Sequence, residues 1–115
     1  MITLALSTTE KLVLLATMVE TGYGRRTATK GRVYSRYVEL SRQAGVEPVT
    51  PRRVLDAIKA LAGEGILWAK ATSLGRYGRT TLVKLLHSPG GLCRELVEDL
   101  VVGEVAERIC DVANS

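Results

Sequence analysis

Residues 50–86 constrain the fold more than any other part of the chain. Thr50-Pro51 is a helix start. The threonine oxygen can cap free amides, and proline at the first helical position gives up only an N–H that would lack a partner. Val54, Ala57, Ile58, Leu61 and Ala62 then recur at helical spacing and draw one apolar stripe. Gly63-Glu64-Gly65 breaks that period. Two alternating runs follow, residues 66–72 and 80–86, with a glycine-containing loop between them, and the pair reads as a β-hairpin. In the first run Ile66, Trp68 and Lys70 oppose Leu67, Ala69 and Ala71; in the second Leu82, Lys84 and Leu86 oppose Thr81, Val83 and Leu85. A capped helix that runs straight into a hairpin leaves few architectures open.

The flanking segments narrow the choice. A first helix starts near Ser7 or Thr8, with Glu10 and Lys11 in its first turn, and Leu12, Leu15, Ala16 and Val19 give it one apolar face. Thr21-Gly22-Tyr23-Gly24 ends it, and Thr27-Ala28-Thr29 is a short strand. A second helix is predicted over residues 32–44, with Val33, Tyr37, Leu40 and Ala44 on one side and Tyr34 beside them; Gly45 stands where a helix stop favours a left-handed residue. Residues 87–91 read as a turn. Residues 92–113 then show a helical pattern in Leu92, Leu96, Leu100 and Val101, with Gly103 placed to bend or split it. Two helices joined by a short turn and followed by a hairpin form a winged helix-turn-helix. The expected fold class is therefore α+β, mainly α: a three-helix core, a β-hairpin wing and an extra C-terminal helix. One domain spans residues 1–115, with a core over about 7–88 and a helical extension over about 91–113.

Charge is distributed unevenly. Residues 21–88 hold 13 Lys or Arg against 4 Asp or Glu, whereas residues 89–115 hold 2 against 6. A basic body with an acidic tail points either to a polyanionic partner or to a generically basic surface. Three groups of residues carry the first reading. The hairpin tip, Ser73, Leu74, Gly75, Arg76, Tyr77, Gly78, Arg79 and Thr80, sets two arginines around a tyrosine on a backbone that glycine lets turn sharply. Guanidinium groups suit phosphates and a narrow minor groove, and a tyrosine hydroxyl can hydrogen-bond a phosphate. The third helix begins with Thr50, Arg52 and Arg53 and carries Lys59 two turns on. Its free amides favour an anion, and its first residues would lie nearest the bases of a major groove. Arg25, Arg26, Lys30 and Arg32 can track a phosphate backbone or form a plain basic loop. Arg36 and Arg42 read as a solvated face, and Tyr34, Tyr37 and Trp68 as core or near-core packing rather than a base-stacking platform.

Several chemistries have no support. The single histidine, His87, argues against a histidine metal site or a catalytic triad. Cys93 and Cys110 lack a zinc spacing, and two cysteines are too few for a disulfide scaffold, so a reduced, intracellular protein is expected. There is no P-loop, Glu95 and Glu98 read as the wet face of a helix, and no apolar run approaches a membrane span. No enzyme, metal site or cofactor is expected.

Residues 31–86 resemble the C-terminal winged-helix domain of the archaeal origin-recognition proteins, the Orc/Cdc-type replication initiators. The resemblance is carried by Gly31-Arg32-Val33-Tyr34 with Tyr37, by Thr50-Pro51-Arg52-Arg53-Val54, by Leu61-Ala62-Gly63-Glu64-Gly65-Ile66, and above all by the tip from Ser73 to Thr80. The first helix, with Glu10-Lys11-Leu12-Val13-Leu14-Leu15, also fits. It implies binding to double-stranded origin DNA, with Thr50, Arg52 and Arg53 at a recognition helix in the major groove. Arg76, Tyr77, Gly78 and Arg79 fall on the wing at the minor groove. It also implies an ATPase module ahead of this domain, which nothing in these residues matches. The chain is thus expected to be an isolated domain, monomeric alone and working beside other initiator or replication proteins. Two other readings stay open: a homodimeric winged-helix transcriptional regulator paired through its terminal helix, and a protein-interaction module that docks through the acidic tail.

Overall fold

Helix α1, Thr8–Glu20, is the element on which the rest is built. Ser7 caps it, and Glu10 reaches back to the Ser7 amide, so the two residues satisfy each other's free donors. The sequence predicts one apolar face, but the computed structural model buries every side chain from Leu12 to Met18. The reason is tertiary: α2, α3, β3 and α5 all contact α1, leaving it no wet side over two turns. Thr17 is buried in this stretch at no polar cost, because its hydroxyl donates to the Val13 carbonyl at 2.9 Å. The structure describes residues 5–73 and 79–113.

Strand β1, Ala28–Thr29, leads directly into α2, Lys30–Gln43, and α3 spans Pro51–Gly63. Thr29 caps α2 by accepting from the Arg32 amide, so the helix starts two residues before the predicted point. Gly45 has φ +72°, the left-handed conformation expected of it. Strands β2, Leu67–Ser73, and β3, Arg79–Leu85, pair antiparallel, and β1 adds to the far edge of β3. Leu67 and Ala69 of β2 face Leu85 and Val83 of β3 on the core side, and Ala28 joins them opposite Val83. Leu74, Gly75, Arg76, Tyr77 and Gly78, expected at the hairpin tip, lie outside the described residues.

One packing expectation fails here. Tyr37 is fully buried and Tyr34 packs on the core, as expected, but Trp68 does neither. It is half-buried on the opposite, outer face of the sheet. Both Ile66 and Leu67 are buried, so the apolar run contains a parity break at the strand entrance, and alternation counted from Ile66 assigns Trp68 to the wrong side.

The C-terminal region departs most from expectation. Residues 87–91 are not simply a turn: Ser88 is an N-cap, and Pro89 opens helix α4, Pro89–Leu96. The helical pattern is split, one of the two outcomes expected of Gly103, and α5 runs Gly103–Ala113. A Cβ at Gly103 would meet the Val97 carbonyl oxygen at 2.8 Å, so only glycine lets the chain fold back this tightly. The split strips two residues of their predicted role, since Leu100 and Val101 fall in the connection and are exposed. Fold-back also brings Cys93 of α4 to Cys110 of α5, with Cα atoms 5.9 Å apart, and the two form a disulfide. The expectation of reduced cysteines is therefore wrong; a spacing of 17 residues bridges two helices once they lie side by side. No helix among the described residues is long and apolar enough to cross a membrane.

Candidate nucleic-acid interface

The connection between α2 and α3 sets where the third helix begins, and three side chains of α2 fix it. The buried Tyr37 hydroxyl accepts from the Val49 amide at 2.9 Å, and the Tyr34 hydroxyl donates to the Val49 carbonyl at 3.1 Å. Ser41 donates to the Val46 carbonyl at 3.0 Å. Both polar groups of Val49 are thus satisfied by tyrosines in the residue before the Thr50 cap. Thr50 then accepts from the Arg53 amide, and α3 leaves the body with Pro51 at its start. These tyrosines are the positioning residues that sequence reasoning missed. A signal was available: the chain has no Phe, and a buried tyrosine needs a partner for its hydroxyl.

The cations predicted to act together are only partly grouped. Lys30 at the start of α2 and Arg52 at the start of α3 line one mainly apolar groove of about 420 Å³, floored by Tyr34, Val54, Leu55 and Ile58. Lys59 is exposed seven residues after Arg52, two turns along the same side of α3. Arg53 lines a different groove, against Ser7 and Glu10 of α1 and beside Asp56. Arg26 and Arg32 meet next to β1, in a depression shared with Thr29, Leu82 and Glu20, while Arg25 stands exposed before it. Ser73 and Arg79 are cross-strand partners at the outer end of the described hairpin, with Thr72 opposite Thr80 one step inward.

Pairing separates the basic residues into two sets. Lys11 is bound to Asp99, and Arg36 bridges Glu20 at 2.9 Å and Glu39 at 3.3 Å. Arg36 is therefore a clamp between α1 and α2, not the solvated residue expected. Arg25, Arg26, Lys30, Arg32, Arg52, Arg53, Lys59 and Arg79 form no ion pair with another described residue. Their charge stays available on the surface around the starts of α2 and α3 and on the hairpin. Among the described residues no group of three or more His, Cys, Asp or Glu is placed to hold a metal ion.

Comparison with known proteins agrees with this geometry. Residues 3–92 match the family model described as the CDC6 C-terminal winged-helix domain. The chain is 38% identical over 104 residues to the ORC1-type DNA replication protein 1 of Sulfurisphaera tokodaii, covering 90% of this chain and 24% of that one. It is 45% identical over 75 residues to the ORC1-type DNA replication protein 1 of Aeropyrum pernix, covering 65% of this chain and 19% of that one. Among solved structures, the Aeropyrum pernix ORC1 protein in complex with DNA superposes with a TM-score of 0.81 at 39% identity, over 87% of this chain and 26% of that chain. The chain thus spans a quarter or less of the length of these relatives. The elements that carry the unpaired cations, α2, α3 and the hairpin, fall within the matched residues, and the chain belongs to the family of CDC6 C-terminal winged-helix domains.

Proposed function

We propose that this domain binds double-stranded DNA at replication origins, as the DNA-binding part of a replication initiator. In this reading α3 enters the major groove and presents Thr50, Arg52, Arg53 and Lys59. Lys30, Arg32, Arg25 and Arg26 contact the phosphate backbone alongside. The wing reaches the minor groove with Ser73, Gly75, Arg76, Tyr77, Gly78, Arg79 and Thr80. The single observation that carries the reading is the pairing pattern: among the described residues, the cations around the helix starts and on the hairpin lack acidic partners, while Lys11 and Arg36 are consumed internally. A surface that keeps this much charge unpaired is suited to releasing counterions from a polyanion. The related ORC1 protein of Aeropyrum pernix, solved with DNA, supports the choice of partner.

The domain does no chemistry of its own and takes no cofactor in this account; any ATP-dependent step belongs to another module. It acts inside the cell on the chromosome, next to other replication proteins. Footprinting on candidate origin DNA tests the proposal, with the parent chain and an Arg76→Ala/Arg79→Ala variant side by side. Protection by the parent that weakens in the variant, while the variant's circular dichroism stays unchanged, is the expected result. Equal protection by both at moderate salt contradicts the assignment of the wing.

A further inference from the structure

Apart from Thr80 at its wing end, the outer face of the sheet has no role in the proposal above, and it is unlike the rest of the surface. Alternation along the hairpin turns Trp68 and Lys70 of β2 to this side, opposite Lys84 and Leu82 of β3 respectively. Trp68 is half-buried but does not pack on the hydrophobic core. Among the described residues its ring contact is Lys84, whose Nζ lies 5.1 Å from the ring centroid. Lys70 and Lys84 are exposed, and neither is ion-paired with another described residue. Leu86, which continues the same alternation, is 55% exposed. From Ile66 to Leu86 the sequence contains no Asp or Glu.

An aromatic ring on an open sheet face, bordered by lysines and free of acids, calls for a partner that is both planar and anionic. Duplex DNA meets only half of that requirement, because its bases are stacked inside and it presents phosphates and groove edges. A single strand meets both, with unstacked bases for the ring and phosphates for the lysines. We propose that this outer face binds single-stranded nucleic acid, with one base stacked on Trp68 and Lys70 and Lys84 on the adjoining phosphates. Lys84 exchanges its cation–π contact for a phosphate when the base arrives. An acidic peptide without aromatic residues has the charge but no flat ring to stack, and the test treats it as a competing outcome. The site is separate from α3, so it does not depend on the duplex reading.

Trp68 is the only tryptophan in the chain, so its fluorescence reports the event without a label. The parent is titrated with a short oligothymidylate at low salt, then with poly-glutamate of matched charge. Saturable quenching by the oligonucleotide but not by poly-glutamate is the expected result; no quenching, or equal quenching by both, overturns the proposal. Binding of the same oligonucleotide followed by anisotropy should weaken roughly tenfold in Trp68→Leu and much less in Trp68→Phe, which keeps a ring. Affinity for a duplex should stay as in the parent. A Trp68→Leu variant that is folded by circular dichroism and binds the single strand like the parent also overturns it. If that variant fails to fold, the quenching of the parent decides alone.

Discussion

The two charged regions of this domain handle their charge in opposite ways. Around the starts of α2 and α3 and on the hairpin, the described cations form no ion pair with another described residue, and the scaffold beneath them is held by neutral hydrogen bonds, between Val49 and the Tyr34 and Tyr37 hydroxyls and between Ser41 and the Val46 carbonyl. In the C-terminal α4–α5 hairpin the fastening is covalent and ionic. Cys93–Cys110 joins the helices, and Asp99 fixes their connection to Lys11 of α1 while accepting from the amides of Val101 and Val102. The Tyr23 hydroxyl adds a bond to the Ile109 carbonyl at 3.2 Å. A region meant to meet a polyanion cannot neutralise the cations it presents, so its shape rests mainly on uncharged contacts, and Arg36, which clamps α1 to α2 through Glu20, is the cation given up to hold the scaffold. A region that only has to stay attached is free to use its charge internally.

The largest expected effect separates the two regions cleanly. A Cys93→Ser/Cys110→Ser double variant, or reduction of the parent, should lower stability by about 2–4 kcal/mol while leaving duplex affinity unchanged in the folded protein. Thermal melting with and without a thiol reductant, beside a binding curve, checks both halves. A large loss of affinity in the folded variant would mean that the two regions are coupled.

Tyr37→Phe probes the other region. It removes the hydroxyl that accepts from the Val49 amide and leaves that donor without its partner, at a cost of about 1–3 kcal/mol. Because the same bond sets the start of α3, duplex binding should weaken as well. Denaturant melts and duplex titrations on this variant and on the cysteine variant should therefore disagree: both lose stability, and only Tyr37→Phe loses affinity.

That contrast also explains what was legible in the sequence. Much of the body could be read because its boundaries are local: Ser7 and Thr50 cap their helices, Gly45 stops one, and the two hairpin runs alternate, whereas the cap at Thr29 is hidden because the same residue closes β1. The cations of the candidate interface could be named for the same reason. Their grouping could not, because which groove Arg53 or Arg32 lines depends on how α1 and β1 pack. Arg36 looked solvated because Glu20 lies sixteen residues away on another helix. In the tail, Leu100 keeps helical spacing in a segment that is not helical, and the disulfide follows from a fold-back made possible by Gly103. Nothing at short range announces a contact between two helices.

The smallest effect expected concerns pH. Burial pushes the Asp99 carboxyl up, but the Lys11 hydrogen bond and the Val102 and Val101 amides outweigh it and hold its pKa below the ordinary value. A folded-state pKa lowered in this way contributes stability that is present above the unfolded value, about pH 4, and is lost as pH falls through the folded one. Melting curves of the parent should therefore drop below pH 4 more than those of Asp99→Asn. Parallel curves for the two proteins would remove Asp99 from the account.

The most direct test of the central claim is the salt dependence of duplex binding, measured for the parent, for Lys30→Ala/Arg32→Ala in the body and for Glu104→Gln/Glu107→Gln in the tail. Each lost phosphate contact should reduce the slope of log affinity against log salt by roughly 0.9. The account predicts a slope shallower by nearly two in the body variant and the parent's slope in the tail variant. A body variant that keeps the parent's slope would contradict it.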